Sequence, residues 1–368
     1  MTFNDFLSEI PEVDLWTYLS NTDKPIVMYG MGNGADKICE VLGHYGKTVN
    51  DYFASDDFVR GQEFHGKRVL TLKQLEEKYE DFIILVSFGT KLDSVIRRIV
   101  DISKAHELYL PDVPVAGAEI FNREFFNKYL ESIKAAFELL EDDSSKRVFI
   151  DVVRYKLSGK IDFLLENTEN TTESIKALFD YKSWKTILDL GAYNGDTIAE
   201  ILGLNPQISK IIAFEPDIKN FKKLEKYLST LNVDSSAYNI CAWDKLEELV
   251  FDSSGNRNST VSSLNHLPSV GDTKKVSSVG NSVDNILNGE RVDYINYDVE
   301  GAELKAIRGS IATLKEHDPD ILLAAYHRSN DLFDLVIELS KILPEHKLYL
   351  RRKRCLPAWE LNIFATKK

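Results

Sequence analysis

The sequence is short of cysteine and of basic residues, and both shortages argue against whole classes of protein. Its 368 residues include three cysteines, Cys39, Cys241 and Cys355, with no Cys-x-x-Cys pair. This odd and scattered set argues against a disulfide scaffold or a zinc site and favours a reduced, cytoplasmic protein. The 58 acidic residues exceed the 45 lysines and arginines, which gives a formal net charge of -13. That balance argues against nucleic-acid and membrane partners, because polyanion affinity comes mainly from basic side chains.

Long apolar runs are also absent. No segment approaches the length that crosses a bilayer, and the acidic first residues, interrupted by Pro11, do not resemble a signal peptide. The apolar fraction of 43% and the charged fraction of 28% are those of an ordinary globular protein. At this length the chain can bury two hydrophobic cores.

A strand, a tight turn and the start of a helix are predicted over residues 186–197. The apolar run contains Asp189 and breaks at Gly191 and Gly195 before a helical pattern begins. Such glycines let backbone N–H groups approach a ligand, and the N-terminus of the next helix adds a partial positive charge. A second buried strand then delivers Glu215 to its carboxyl end, where an acid can accept two ribose hydroxyls. Together these features predict a nucleoside-bearing cofactor.

Predicted strands and helices alternate on both sides of a helical stretch. The fold class is therefore α/β, with two Rossmann-like domains joined by helices. We predict a Rossmann-like domain over 1–115, a helical linker over 116–184 and a second α/β domain over 185–368. The aromatic stripe of the linker is more typical of core packing, although it could also form a homodimer surface.

The cluster Gly30-x-Gly32-x-Gly34 follows the first predicted strand. It could hold the diphosphate of a nucleotide, with Asp51 or Asp56 as the ribose partner. However, any strand-to-helix turn in such a fold favours glycine, and the six-residue dinucleotide fingerprint is not met. We therefore favour a structural role for this cluster.

The last two predicted strands, 347–350 and 361–364, are separated by a short loop and should form an antiparallel hairpin. A mainly parallel sheet that ends in such a hairpin is typical of class I methyltransferases. It differs from the sheet of a dinucleotide-binding dehydrogenase at that end. The C-terminal domain is therefore predicted to have the class I methyltransferase fold, with a methyl donor rather than NAD.

Four segments resemble the FkbM family of S-adenosylmethionine-dependent methyltransferases, and the Asp-x-Glu-Gly-x-Glu element is the most specific of them. The resemblance extends upstream to the two-domain members of the family and so covers most of the chain. Many members have a lysine before this element where Asn296 and Tyr297 stand here, which puts any role of that lysine in acceptor binding in doubt. The matching segments are Leu188–Thr197, Ala213–Asp217, Asp298–Glu303 and Ala325–Arg328.

The resemblance implies that S-adenosylmethionine is the cofactor and that the second glycine turn holds it. Asp189 and Gly191 would contact its amino-acid end and Glu215 its ribose, while the turn with Ala242 and Trp243 would border the adenine. Asp189 could instead cap the helix, and Trp243 could be plain core. The complete set of candidate cofactor-binding residues is Asp189, Gly191, Ala192, Asn194, Gly195, Glu215, Ala242 and Trp243.

Asp298, Glu300 and His327 are the catalytic candidates, because they follow strands whose carboxyl ends should meet at one edge of the sheet. Methyl transfer requires alignment of the acceptor oxygen with the methyl carbon and a base for the hydroxyl proton. We favour His327 as that base, with Asp298 orienting or replacing it. Asp298 and Glu300 could also ligate magnesium, which would orient vicinal hydroxyls, but the sequence does not favour this.

Two further features are candidates for acceptor contacts. Residues 252–285 are rich in Ser, Asn and Gly and form either a mobile lid or an ordinary solvated β-excursion. Arg351, the first residue of a basic run, is a candidate for contact with a phosphate or uronate of the acceptor. A charge run is more commonly a solvated loop.

These observations predict an O-methyltransferase that transfers a methyl group from S-adenosylmethionine to a hydroxyl of a sugar or glycan-related acceptor. The acceptor class is implied by the family resemblance. An NAD-dependent nucleotide-sugar-modifying oxidoreductase is an alternative, but it lacks a suitably placed Tyr-x-x-x-Lys pair and does not fit the C-terminal hairpin. A non-catalytic cofactor-binding scaffold is a third hypothesis, against which the acidic triplet and His327 argue.

Overall fold

Two mainly parallel sheets, separated in sequence by a helical stretch, form the framework of the protein. A computed structural model describes residues 1–253, 261–262 and 274–368. We call residues 1–115 the N-terminal region, 116–184 the helical region and 185–368 the C-terminal region. Within the described residues, no helix is both long and apolar enough to cross a membrane.

The N-terminal region is built on a four-stranded parallel sheet. Its elements are α1 (Phe3–Glu9), α2 (Leu15–Asn21), β1 (Ile26–Tyr29), α3 (Asn33–His44), β2 (Asp51–Phe53), a 3-10 turn (Asp56–Phe58), β3 (Glu63–Phe64), β4 (Lys67–Arg68), α4 (Leu72–Lys78), β5 (Ile83–Val86), α5 (Asp93–Ala105) and β6 (Glu107–Tyr109). The strand order is β2-β1-β5-β6, and β3 and β4 form a separate small hairpin. All residues of β1 and β5 are buried, as expected for parallel strands covered on both faces.

The first glycine cluster is needed for packing. A Cβ on Gly34 would lie 2.1 Å from the carbonyl oxygen of Ser87, which follows β5. Gly30 has a φ of +117°, a conformation that L-residues rarely adopt. Close approach between the start of α3 and the end of β5 therefore accounts for glycine at these positions.

Asp51, one of the two acids considered as a ribose partner, is the first residue of β2 and already has partners within the protein. Asp51 accepts a hydrogen bond from Lys78 Nζ at 2.8 Å and a short one from the hydroxyl of Tyr79. Asp56 is exposed in the 3-10 turn. These contacts support the structural interpretation of the cluster.

The helical region packs its aromatic stripe inside the chain. Its elements are α6 (Arg123–Lys128), α7 (Leu130–Leu139), α8 (Asp143–Ser158), a 3-10 turn (Ile161–Leu164) and α9 (Thr171–Leu178). Phe125 and Phe137 are buried, and Phe137 stacks on Phe6 of α1 with ring centroids 5.6 Å apart. The stripe is therefore core, and a homodimer remains a prediction from the sequence.

The C-terminal region is built on a seven-stranded sheet. The strands of the whole region, including four that lie outside this sheet, are β7 (Thr186–Leu190), β8 (Lys210–Phe214), β9 (Asp234–Tyr238), β10 (Cys241–Ala242), β11 (Glu247–Ser253), β12 (Val261–Ser262), β13 (Lys274–Asn281), β14 (Tyr294–Tyr297), β15 (Asp320–Ala324), β16 (Lys347–Arg352) and β17 (Leu361–Thr366). Its helices are α10 (Asp196–Leu204), α11 (Ile218–Leu228), α12 (Val283–Leu287), α13 (Glu303–Arg308), α14 (Ile311–His317) and α15 (Asp331–Ile342).

The order of the large sheet is β16-β17-β15-β14-β7-β8-β9, in which β17 runs antiparallel to the other six strands. The predicted C-terminal hairpin is therefore present, and its last strand inserts beside β15. Strands β10 to β13 form a separate small sheet. Much of the predicted lid, residues 254–260 and 263–273, lies outside the described residues.

Replacement of Gly34 by alanine should destabilise the protein. The added Cβ would overlap the Ser87 carbonyl, and overpacking of this kind costs about 1–3 kcal/mol in the free energy of unfolding. Gly43→Ala is the matched control, because this helical glycine has no atom within 4 Å of its added Cβ. Chemical denaturation of both variants measures the difference. A Gly34→Ala protein as stable as wild type would contradict the packing account.

Candidate active site

A cavity of about 530 Å³ lies at the carboxyl ends of the central strands of the C-terminal region. Parallel strands end at one edge of a sheet, and ligands of open α/β sheets bind there. The turn after β7 contributes Gly191, β8 contributes Glu215, and the ends of β14 and β15 contribute Asp298 and His327. All three catalytic candidates and some of the predicted cofactor-binding residues therefore line a single cavity.

Gly191 is required by the approach of two strand ends. Its φ is +87°, and a Cβ there would lie 1.9 Å from the carbonyl oxygen of Asp298. Gly195 has a φ of +90°, and its added Cβ would overlap the ring of Tyr227. The sequence attributed both glycines to ligand approach, whereas the atoms that exclude a side chain at these positions belong to the protein itself.

Glu215 is buried at the end of β8 and borders the cavity. It accepts hydrogen bonds from the backbone N–H groups of Tyr193 and Asp217, both at 2.8 Å. Burial raises the pKa of Glu215 to about 7, although the two backbone hydrogen bonds oppose this rise. These contacts hold the carboxylate in one orientation at the cavity wall.

Asp189 lies behind the wall rather than on it. One of its oxygens accepts a hydrogen bond from Asn296 Nδ2 at 2.8 Å, and the other is buried without a protein partner. Burial raises the pKa of Asp189 to about 7. Asn296 stands in the segment where the expected lysine is missing, and the structure shows that it instead supports Asp189 and lines the cavity.

The remaining cofactor candidates occupy two kinds of position. Ala242 lines the cavity, whereas Ala192 is buried in the glycine turn with Asn194 beside it. Trp243 packs against Cys241 in a small apolar cluster, and its indole N–H donates to Glu247. The alternative of plain core therefore describes Trp243 better than a position bordering the cavity.

The catalytic candidates form a compact cluster around one histidine. His327 Nε2 lies 3.5 Å from Asp298 Oδ1 and 3.4 Å from Glu300 Oε2. On the other side of the ring, Nδ1 lies 2.9 Å from Oε1 of Glu303. That oxygen also accepts backbone hydrogen bonds from Val299 and Gly301. His327 and Glu303 are fully buried, while Asp298 and Glu300 face the cavity.

Charge determines the protonation state of this cluster. Burial alone would lower the pKa of His327, but Glu303, Asp298 and Glu300 together raise it to about 10. Burial raises the pKa of Asp298 to about 6, and that of Glu300 to about 8, and the positive charge of His327 opposes both rises. Burial would also raise the pKa of Glu303, yet its contact with His327 holds that pKa below the usual value. At neutral pH the histidine is therefore an imidazolium.

The raised pKa of His327 argues against the preference for this histidine as the base. A general base must be unprotonated, and an imidazolium among three carboxylates has no proton-accepting nitrogen. Asp298 and Glu300 are the carboxylates beside His327 Nε2 that face the cavity and can accept a proton. Asp298 Oδ1, Glu303 and His327 offer ligand atoms within 4.8 Å of one another, a spacing that a metal ion could also use.

Arg351 was one candidate for contact with the acceptor, but in the structure its guanidinium binds the helical region. Its guanidinium lies 2.6 Å from Asp142 Oδ2 and donates to Ser145 Oγ at 2.7 Å, both in the helical region. Arg351 is therefore a buried link between β16 and the start of α8. Lys353, two residues later, lines the cavity instead.

The cavity wall includes residues that sequence reasoning did not identify. Tyr326 precedes His327 within the recognised segment, and its hydroxyl lies 3.4 Å from Asp298 Oδ1. A second group comes from loops with no motif, so no local signal pointed to it. These residues are Gly89, Thr90, Lys91 and Val115 of the N-terminal region and Lys353, Trp359, Glu360 and Asn362 of the C-terminal hairpin.

The large sheet with its antiparallel final strand, and the cavity at its carboxyl edge, define a class I methyltransferase fold. Residues 189–351 match the family model described as the methyltransferase FkbM domain. The matched residues, which make up less than half of the chain, are those of an FkbM methyltransferase domain, and such a domain indicates S-adenosylmethionine-dependent methyl transfer. The comparison with curated proteins found no match.

One solved structure supports this fold over nearly the whole chain. An FkbM methyltransferase from Methylobacillus flagellatus KT superimposes with a TM-score of 0.74 at 17% identity, over 99% of this chain and 98% of that chain. Fibrillarin from Aeropyrum pernix, solved with natively bound S-adenosyl-L-methionine, has a TM-score of 0.33 at 15% identity, over 53% of this chain and 73% of that chain. The first of these covers both sheets and the helices between them.

Glu215→Gln should weaken binding of S-adenosylhomocysteine. Glutamine keeps only one of the two oxygens that accept from the Tyr193 and Asp217 amides, and it loses the charge that strengthens hydrogen bonds to ribose hydroxyls, so affinity should fall about tenfold or more. Asp234→Asn, at an exposed site on β9, is the control. Isothermal titration calorimetry measures both dissociation constants. Unchanged affinity in Glu215→Gln would place the ribose elsewhere.

Proposed function

We propose that the protein is an O-methyltransferase that acts on a hydroxyl of a sugar or glycan-related acceptor. The observation that supports this is the presence of two accessible carboxylates, Asp298 and Glu300, in the same cavity as the predicted cofactor residues. One site can thus combine methyl-donor binding with proton removal.

The cavity suits a positively charged cofactor. Its wall is rich in carboxylates, including Asp196, Glu215 and Asp217, and the unpaired buried oxygen of Asp189 lies behind it. When bound, S-adenosylmethionine would supply a methyl group on a sulfonium centre. Glu215 would hold its ribose, and the turn after β7 its amino-acid end.

Asp298 is the proposed proton acceptor. Its side chain is 45% exposed against 29% for Glu300, and burial raises the pKa of Glu300 further above its usual range, so Asp298 is the more readily ionised of the two. His327 remains positively charged and stabilises the ionised form of Asp298. The acceptor hydroxyl would donate its proton to Asp298 as the oxygen attacks, so the protein supplies alignment and one base.

A polyhydroxylated acceptor fits the remaining wall. Carboxylates and the amide of Asn362 can bind hydroxyl groups, and the rings of Tyr326 and Trp359 offer apolar surface. An oxidoreductase is disfavoured by the family and by the sheet order, and a non-catalytic scaffold by the enzyme family itself. The cytoplasmic location and the absence of nucleic-acid and membrane partners remain predictions from the sequence.

We propose a reaction without metal. Magnesium prefers an all-oxygen shell and keeps several waters, and a histidine must be neutral to ligate any cation. Here the imidazolium already balances the carboxylates that magnesium would use. For a cation to bind through His327, the imidazolium would first have to lose the proton that Asp298, Glu300 and Glu303 stabilise on it.

The pH dependence of transfer should distinguish the two candidate bases. The wild-type rate should rise with pH as Asp298 ionises. In His327→Gln, Asp298 loses a neighbouring positive charge, its pKa rises, and the midpoint should move upward by about one to three pH units. Initial rates across pH at saturating cofactor measure this shift, and S-adenosylhomocysteine binding shows that the variant is folded.

The exposed His44 provides the control for this experiment, since His44→Gln should leave the profile unchanged. Asp298→Asn should lower the rate about 10²–10⁴-fold, the usual contribution of a general base. A rising limb that disappears in His327→Gln while Asp298→Asn stays active would make His327 the base.

Chelation should leave turnover unchanged. Enzyme treated with EDTA and then assayed with and without added magnesium should show equal rates, because no step uses a metal. Enzyme carrying Glu300→Gln serves as a comparison, since a metal mechanism would require that carboxylate. Complete loss of activity that magnesium restores would overturn the metal-free reaction.

A further inference from the structure

The loop after β5 and the loop of the C-terminal hairpin are joined at the mouth of the cavity. Thr90 N donates to Leu356 O at 2.6 Å, and Leu356 N donates back to Thr90 O at 3.0 Å. Lys91 and Glu360 form a close ion pair beside this bridge. Two segments far apart in sequence thus make one continuous wall.

Gly89 and Trp359 fit together in this wall. A Cβ on Gly89 would lie 2.1 Å from Cζ3 of the Trp359 indole, and other indole carbons are also within 3 Å. No positive φ requires glycine there, so the reason for glycine is space. The indole therefore lies directly over the backbone of the N-terminal region, and it still borders the cavity.

A second connection links the N-terminal region to the catalytic cluster. Lys37 Nζ of α3 donates to the carbonyls of Pro114 and Val115 at 2.8 and 2.9 Å. The next residue, Ala116, donates its N–H to the carbonyl of His327 at 2.8 Å. The N-terminal region thus supports both the hairpin side of the cavity and the backbone of the imidazolium.

We propose that the acceptor binds between these two regions, with Trp359 as the platform for the apolar face of a sugar ring. Gly89 is the positioning residue that makes room for the indole. This inference rests on the proposed function and adds the acceptor subsite to it. The N-terminal region accordingly contributes part of the acceptor subsite.

The charges around this subsite select among sugars. Asp298, Glu300 and Glu360 border it, while the two lysines of the same wall are Lys91, which is paired with Glu360, and Lys353. Carboxylates accept hydrogen bonds from hydroxyls and attract ammonium groups, but repel phosphates and uronates. The acceptor is therefore a neutral sugar or an amino sugar, rather than an anionic one.

The test uses a defined panel of acceptors with the full chain. The panel comprises methyl glycosides of glucose, galactose, mannose and glucosamine, together with glucuronic acid and glucose 6-phosphate. Formation of S-adenosylhomocysteine is measured as a function of acceptor concentration. The expected result is methylation of one or more neutral or amino members and none of the anionic ones.

Two variants then locate the subsite. Trp359→Ala removes the platform and Gly89→Ala displaces it, so each should lower kcat/KM for the sugar at least about tenfold, mainly through KM. The dissociation constant of S-adenosylhomocysteine should not change. Trp359→Phe should restore much of the loss, and Gly43→Ala, with open space around its added Cβ, is the matched glycine control.

The possible results distinguish failure of the acceptor subsite from failure of the proposed function. Neutral sugars methylated with unchanged KM in Trp359→Ala and Gly89→Ala would overturn the subsite and leave the proposed function standing. Methylation of the anionic members alone would overturn the charge argument. If no member of the panel is methylated, the sugar acceptor is contradicted, and the platform with it.

Discussion

The balance of charge around His327 is the interaction on which the active site depends. A buried histidine is ordinarily neutral, because burial penalises its charged form. Here Glu303 on one side of the ring and Asp298 and Glu300 on the other reverse that preference and keep the imidazolium charged. The same positive charge makes Asp298 easier to ionise than its burial alone would allow. In the proposed mechanism, this fixed cation would prepare Asp298 to accept a proton.

The geometry that holds this cluster comes from backbone contacts between neighbouring strands. Gly191 has no side chain, so the end of β7 can approach the Asp298 carbonyl at the end of β14. The Arg328 guanidinium donates to Gly301 O at 2.7 Å, which ties the segment after β15 to the one after β14. Ala116 fixes the carbonyl of His327 from outside the sheet. The acids and the histidine are therefore positioned by packing, since direct repulsion would separate the acids.

Local sequence patterns were sufficient to predict most helices and strands and to predict that the site lies at the carboxyl edge of the sheet. Buried apolar runs fixed the strands within a few residues, and the ends of β7, β8, β14 and β15 brought their polar residues to one cavity. The protonation of His327 was not predictable, because it depends on how close Glu303 lies in the folded chain. Arg351 was misjudged for a similar reason, since its partner Asp142 lies 209 positions away.

Glycine shows most clearly where sequence reasoning reaches its limit. At Gly191 and Gly195 a strand-turn-helix pattern reveals that the backbone needs freedom, and the positive φ angles agree. At Gly89 the backbone needs no such freedom, and the side chain is excluded only by Trp359 from a distant hairpin. No local pattern marks a glycine of that kind. A surface formed between two regions is consequently visible only in the folded chain, and it is this surface that we propose as the acceptor subsite.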